Sequence, residues 1–256
     1  MATRRETPAG RALYRRPAAL YELTTHYCAG CGHSTVHRLL AEVLDELGVR
    51  ERTIGVAPVG CAVVAYNYLD IDWSEAAHGR PPAVATGLKR VHPDALVFTY
   101  QGDGDLASIG MAETIHTANR GENITIIFIN NAVYGMTQGQ MAPTTLMGMK
   151  TTTSPRGREA NMGYPIKMCE LLNQLQAPAL LVRTTVTSPK WVRHTKELLK
   201  KAFQYQMDGA GFGMIEVLSP CPTYWRMTPA EALRFVEGPM NEAFPLGVVR
   251  DVRAKD

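Results

Sequence analysis

The sequence predicts a doubly wound α/β fold, a mainly parallel sheet with helices on both faces. Two observations carry this reading. Short, nearly continuous apolar runs recur along the chain, and amphipathic helical patterns fill the intervals between them. Taken in order, residues 35–47 place Val36, Leu39, Leu40, Val43, Leu44 and Leu47 on one helical face, and Gly48 stands where the helix must stop. A strand follows at Thr53–Ala57, then a helix at 82–91 and a strand at 95–100. The alternation continues with a helix at 107–119, a strand at 124–130, a helix at 165–174, a strand at 179–186, a helix at 190–207 and a strand at 214–218. Apolar residues at nearly every strand position suit burial on both faces.

Two segments break the pattern. Residues 136–164 mix Gly, Pro, Thr, Met and Arg without a period, and so long an irregular stretch inside a compact domain is usually functional. The proline-bearing segment from Ser219 is expected to wrap the surface or a partner subunit. At 256 residues the chain suits a single domain over 1–256, with an N-terminal arm (1–20) and a C-terminal tail (219–256).

A formal net charge of +3 demands neither nucleic acid nor a membrane surface. The arginines of the first 16 residues precede no signal-length apolar run, and no run approaches the roughly 18 apolar residues of a membrane span. A cytoplasmic protein with no membrane span and no nucleic-acid partner is expected. Five cysteines, an odd number, point away from a disulfide scaffold and toward metal ligation, catalysis or burial.

The sharpest feature is Gly102-Asp103-Gly104-Asp105, after one strand and before a helix. Asn130-Asn131 closes the next strand. In a parallel sheet both strand ends lie on one edge, where ligands bind. The Asp103 carboxylate, the Asn131 amide oxygen and a backbone carbonyl near Val133 are oxygen ligands of the kind Mg²⁺ takes beside phosphate oxygens. Gly102 and Gly104 permit close approach to phosphates, and the following helix start favours anions. A dinucleotide site competes, because Gly102-Asp-Gly-Asp-Leu-Ala107 fits G-x-G-x-x-A after a strand. It would set two acids against a pyrophosphate, and asparagines stand where that fold wants an acid; Glu122 has the nominal spacing but precedes the strand. Ordinary turn residues are the third reading.

Cys28-x-x-Cys31 alone serves zinc, iron–sulfur clusters and redox disulfides alike. Zinc would usually add a second close pair or spaced histidines. This chain adds Cys61 and Cys221, each at a predicted strand end or turn, and four thiolates are what a [4Fe–4S] cluster requires. Cys169, in an apolar helical run, reads as a buried structural thiol.

A Gly-Asp-Gly followed about thirty residues later by Asn-Asn resembles the signature of thiamine-diphosphate enzymes. With Val133-Tyr134-Gly135-Met136-Thr137-Gln138-Gly139-Gln140, Cys28-Ala-Gly-Cys31-Gly-His33 and His78-Gly79-Arg80, the chain resembles the β subunits of 2-oxoacid:ferredoxin oxidoreductases from about Tyr27 to Trp225. The resemblance leads to the expectation of Gly where Gln138 stands.

The resemblance implies the diphosphate-binding half of a thiamine-diphosphate fold. It implies Mg²⁺ on Asp103, Asn131 and the Val133 carbonyl, with thiamine diphosphate against Gly102, Gly104, Asp105, Tyr134, Gly135, His78 and Gly79. It also implies a [4Fe–4S] cluster on Cys28, Cys31, Cys61 and Cys221. The implied activity is coenzyme A-dependent oxidative decarboxylation of a 2-oxoacid, with electrons passed singly through the cluster to ferredoxin. The segment Gln140–Thr145 looks more like the 2-oxoglutarate and 2-oxoisovalerate types than the pyruvate type.

His33 and Thr137 are the catalytic candidates in this chain; a capping or surface role is the bland alternative for His33 and His78. Gln140, Thr144 and Thr145 are further candidates to line the thiamine or 2-oxoacid pocket. Lys150, Arg156 and Arg158 would face an anionic substrate, coenzyme A, an acidic partner or solvent. No glutamate suits the aminopyrimidine contact, so the family's pyrimidine-binding α subunit, with further small subunits, is the expected partner. The rival functions are a cluster-free thiamine-diphosphate decarboxylase or synthase subunit, and a non-catalytic iron–sulfur electron-transfer module.

Overall fold

The computed structural model describes residues 15–254. Helix α1 (His33–Leu47) ends where Gly48 turns left-handed at φ 63°. Strand β1 (Thr53–Ala57) and the short β2 (Asp72–Glu75) precede α2 (Pro81–Val91) and β3 (Leu96–Gly102). Next come α3 (Asp103–Ala107), α4 (Met111–Asn119), β4 (Thr125–Asn130) and the two-residue strands β5 (Val133–Tyr134) and β6 (Gln140–Met141). Helix α5 (Met168–Leu172), β7 (Leu180–Thr185), α6 (Pro189–Met207) and β8 (Gly213–Leu218) complete the alternation. Helices α7 (Pro222–Trp225), α8 (Pro229–Phe235) and α9 (Asn241–Ala243) lead to β9 (Gly247–Asp251).

The main sheet runs β2-β1-β3-β4-β8-β7-β9. Every neighbouring pair is parallel except β7 with β9. Alternate strand residues serve two cores. Phe98, Tyr100, Ile127, Ile129, Ile215 and Val217 face a core that includes α1 and α6. Val97, Ile126, Phe128 and Met214 face a second core with Ala85 of α2, Ala118 of α4 and Leu172 of α5. At about 1.5–3 kcal/mol for each large apolar side chain fully buried, these two layers dominate the folding energy.

Two sequence expectations need correction, and one strand was not foreseen. The helix expected over 107–119 starts only at Met111, because α3 ends at Ala107 and the chain turns at Ser108–Gly110, where a Cβ on Gly110 would lie 2.1 Å from the Asp105 carbonyl oxygen. Edge strand β2, Asp-Trp-Ser-Glu, leaves no sign in the sequence because it has no apolar run.

The segment after Ser219 is not a surface wrap. Ala232, Val236, Met240 and Phe244 recur at helical spacing and are buried with Val133, Leu218 and Trp225 in a third apolar cluster. Two of its prolines begin helices rather than break them: Pro222 and Pro229 sit in first turns, where a missing N–H costs nothing, and Thr228 with Glu231 forms a capping box, whereas Pro239 lies inside a π-helical turn over Val236–Met240. Of the N-terminal arm, residues 1–14 lie outside the described residues. Ala19 is fully buried, and the backbone N–H groups of Ala18 and Ala19 donate to the Asp45 carboxylate. Among the described residues no helix is long and apolar enough to cross a membrane.

Candidate functional site

Because β1, β3, β4 and β8 are parallel, their C-terminal ends share one sheet edge. A cavity of about 210 Å³ lies there, lined by His33, Cys61, His78, Asp103, Asn131 and Thr137 among others. Gly102, Gly104, Asp105, Val133, Tyr134 and Gly135 also line it. The sheet therefore gathers residues that the sequence separates by more than a hundred positions.

Asp103 opens α3 and is 2% exposed. Its carboxylate accepts from the backbone N–H groups of Asn131 (3.2 Å) and Ala132 (2.9 Å), and from the Thr144 hydroxyl. Burial nevertheless pushes its pKa up to about 7, against the lowering effect of these donors.

Asn131 Oδ1 faces two other acceptors, the Val133 carbonyl oxygen at 2.7 Å and Asp103 Oδ1 at 3.1 Å, and reversing the amide would turn both into hydrogen bonds. With the oxygen kept inward it also accepts the Val133 N–H at 3.3 Å, and its 2.7 and 3.1 Å separations from the other two oxygens are close to the spacing of adjacent ligands in an octahedron, about 3 Å for metal–oxygen bonds of 2.0–2.1 Å. Gly104 lies under the Tyr134 ring, where a Cβ would stand 2.7 Å from it. Gln138 has φ 82°, a left-handed conformation that favours glycine.

Asp105 is 2% exposed and both its oxygens are engaged. Oδ1 accepts from His78 Nδ1 (2.7 Å), Gly79 N (2.9 Å) and Val59 N (3.2 Å). Oδ2 accepts from Gln101 Nε2 (2.7 Å). Asp105 thus acts on the cavity by holding the His78-Gly79 turn. His33 is 4% exposed and pairs Nδ1 with the Tyr100 hydroxyl at 2.9 Å, while Tyr27 stacks on its ring at 4.6 Å. Thr137 lines the cavity, its hydroxyl bound to Gln140 Oε1 at 2.6 Å.

The thiols of Cys28, Cys31, Cys61 and Cys221 lie within electrostatic range of one another, since charge on the others raises the pKa of Cys61 and Cys221. Burial is the larger cause, holding Cys61 at about 11 and Cys221 at about 12. Such thiols ionise at neutral pH only beside a strong positive charge, which a metal centre supplies. Gly135 joins both features. A Cβ there would lie 3.2 Å from Cys61 Sγ, 3.6 Å from Cys221 Sγ and 3.6 Å from Asn131 Nδ2. Among the described residues no three His, Cys, Asp or Glu side chains stand in a ready metal group; the oxygen trio at Asp103 uses an amide and a backbone carbonyl. Cys169 is fully buried in the core, as its apolar context implied.

Some contributors were not evident beforehand. Arg158 turns inward, donating to the carbonyls of Ala142, Pro143, Thr145, Gly163 and Tyr164. It pins the irregular loop that brings Thr144 to Asp103, and so is not available to an anionic ligand. His37 is 1% exposed within the aromatic group around His33, and His26 bonds the Tyr68 hydroxyl and the Cys61 carbonyl. Glu216 and Arg183 did leave a signal: a charge in the middle of a strand buried at every position.

The fold and this sheet-edge site define a thiamine-diphosphate-type domain, and the chain belongs to the thiamine pyrophosphate enzyme C-terminal TPP-binding domain family, which its residues 58–217 match. Within that class it belongs with the subunits of the 2-oxoacid:ferredoxin oxidoreductases. It is 50% identical over 244 residues to ketoisovalerate oxidoreductase subunit VorA of Methanothermobacter thermautotrophicus, covering 95% of this chain and 51% of that protein. It is 36% identical over 215 residues to 2-oxoglutarate synthase subunit KorB of Archaeoglobus fulgidus, covering 84% of this chain and 76% of that protein. The chain spans about half the length of the ketoisovalerate relatives it matches. A solved 2-oxoglutarate:ferredoxin oxidoreductase from Magnetococcus marinus, with 2-oxoglutarate, coenzyme A and succinyl-CoA bound, has the same fold. Its TM-score is 0.75 at 23% identity, covering 95% of this chain and 87% of that one.

Proposed function

We propose that this chain is the thiamine-diphosphate-binding, iron–sulfur subunit of a 2-oxoacid:ferredoxin oxidoreductase. The reaction is coenzyme A-dependent oxidative decarboxylation of a 2-oxoacid. A branched-chain 2-oxoacid is favoured over 2-oxoglutarate, in line with the higher identity to the ketoisovalerate relatives. The observation that carries the reading is Gly135, a residue without a side chain wedged between the Asn131 amide and the Cys61 and Cys221 thiols. A diphosphate cradle and a thiol group sharing one wall suit chemistry that passes electrons from one to the other.

Asp103, Asn131 and the Val133 carbonyl would hold Mg²⁺, and through it the diphosphate. Cys28, Cys31, Cys61 and Cys221 would hold a [4Fe–4S] cluster that takes electrons one at a time and passes them toward ferredoxin. Thiamine diphosphate, when bound, supplies the nucleophilic carbon and the sink for the electron pair left by departing CO₂. His78, fixed by Asp105, lines the cavity. His33 and Thr137 are the side chains of this protein proposed to touch substrate or the reacting cofactor atoms. The glutamate for the aminopyrimidine ring would come from a pyrimidine-binding partner subunit, so the chain alone is expected to be inactive.

The test is the iron and acid-labile sulfide content of anaerobically purified protein, native and Cys221→Ser, with bound thiamine diphosphate measured alongside. About four of each per chain, as a [4Fe–4S] cluster requires, lost in the variant, supports the reading. Thiamine diphosphate without iron, after anaerobic reconstitution, leaves a cluster-free decarboxylase or synthase subunit. Iron without thiamine diphosphate leaves an electron-transfer module.

A further inference from the structure

A polar chain crosses the sheet beneath the site. Glu216 of β8 and Arg183 of β7 have fully buried side chains, and Arg183 Nε donates to Glu216 Oε2 at 2.8 Å. Arg183 reaches outward with Nη1 and Nη2 to the half-exposed Glu170 of α5, at 2.9 and 2.6 Å. The other oxygen of Glu216, Oε1, accepts from Asn130 Nδ2 at 2.7 Å. Asn130 Oδ1 in turn accepts from Ala132 N at 3.2 Å, sharing that N–H with Asp103 Oδ2 at 2.9 Å.

Ala132 is the pivot of the turn. Its φ of 58° is a left-handed conformation that alanine seldom adopts, so surrounding contacts must hold it. That pivot sets the Asn131 side chain and the Val133 carbonyl on the same side as Asp103. A carboxylate can only accept hydrogen bonds. Glu216 therefore obliges the Asn130 amide to present its NH₂ to the sheet and its oxygen to Ala132. Apolar residues would fill two strand interiors at less desolvation cost than an Arg–Glu pair, so packing alone does not account for it.

We infer that Glu216, backed by Arg183, is a positioning residue that sets the Asn130 amide and through it the oxygen trio of Asp103, Asn131 and Val133. The inference rests on the functional reading above. In Glu216→Gln the new amide must place its NH₂ against either Arg183 Nε or Asn130 Nδ2, two donors. Asn130→Asp sets two carboxylates face to face. The double variant Asn130→Asp/Glu216→Gln restores every donor–acceptor pair. The amide introduced on β8 donates its NH₂ to the carboxylate introduced on β4, and its oxygen accepts from Arg183 Nε.

The experiment titrates thiamine diphosphate at fixed Mg²⁺, and Mg²⁺ at fixed thiamine diphosphate, into the full chain with its co-purifying subunits. Melting temperature is recorded without either ligand. Each single variant is expected to weaken Mg²⁺-dependent binding about 10- to 100-fold, the range seen when residues behind metal ligands are changed. The double variant is expected to recover most of that loss, a coupling that a stability role alone would not produce in ligand affinity. Glu216→Gln with a lower melting temperature and native affinity overturns the inference, as does a double variant that binds no better than the singles. If Glu216→Gln does not fold, Asn130→Asp and the double variant carry the comparison. Native protein that binds no thiamine diphosphate overturns the functional reading itself, which separates the two failures.

Discussion

His78 Nδ1 stands 2.7 Å from Asp105 Oδ1, and the same oxygen accepts the backbone N–H of Gly79 at 2.9 Å. One buried carboxylate thus fixes both the ring and the backbone of the turn that borders the cavity. Replacing Asp105 by Asn puts an NH₂ where only acceptors fit. Hydrogen bonds to a charged group contribute about 1.5–3 kcal/mol each, so Asp105→Asn is expected to lose about 2–3 kcal/mol in urea denaturation and to bind thiamine diphosphate more weakly. Unchanged stability would show that the four donors around Asp105 are satisfied elsewhere.

Gly135→Ala tests the shared wall. Its added Cβ would meet Cys61 Sγ at 3.2 Å, a contact tight enough to move the sulfur by a few tenths of an ångström. The variant is expected to fold within about 1 kcal/mol of native, as volume additions at a cavity edge fall at the mild end of overpacking. Iron content and thiamine diphosphate affinity should both drop. Loss of neither would mean that the wall has room to spare.

His37 provides a pH test remote from the oxygen trio. Burial first, then the nearby His33 and His26, lowers its pKa from 6.5 to about 3, and its Nδ1 has no partner. The folded state keeps this ring neutral, whereas the unfolded chain protonates it. Its contribution to stability is therefore full above pH 6.5 and declines as pH falls toward 3. By pH 5 the loss is about 2 kcal/mol from this group. His37→Phe is expected to flatten the acid side of the urea midpoint profile by that amount while matching native protein at about pH 7.5, where both rings are neutral. His33, shifted in the same direction, keeps part of the acid sensitivity in the variant.

Arg158 supports the loop that delivers Thr144 to Asp103. Lysine cannot reproduce a planar fork reaching five carbonyls. Arg158→Lys is therefore expected to cost about 2–4 kcal/mol, the range for leaving buried polar groups unpaired. Proteolysis should open the 136–164 loop first. A variant whose loop resists protease as the native does would show that Thr145, whose hydroxyl bonds the Ala132 carbonyl at 2.5 Å, holds the loop without it.

How much of this was legible in the sequence depends on how far apart the partners lie. Strands β3, β4, β7 and β8 and helices α1, α2 and α6 showed themselves through apolar period, because burial on one face or two leaves a local imprint. Gly102-Asp103-Gly104 and Asn130-Asn131 could be paired because consecutive parallel strands end on one edge. The polar strand β2 and the helices after Ser219 left weaker marks, the first for want of an apolar run, the second because their prolines read as breaks rather than as first turns.

The partners were another matter. Thr144 meets Asp103 across 41 positions, His33 meets Tyr100 across 67, and Asn130 meets Glu216 across 86. Residue type and local period determined the elements, the metal-type oxygens and the candidate thiols. Only the crossovers of the sheet decided which buried donor faces which acceptor, because a hydrogen bond depends on atoms about 3 Å apart in space and leaves no period along the chain.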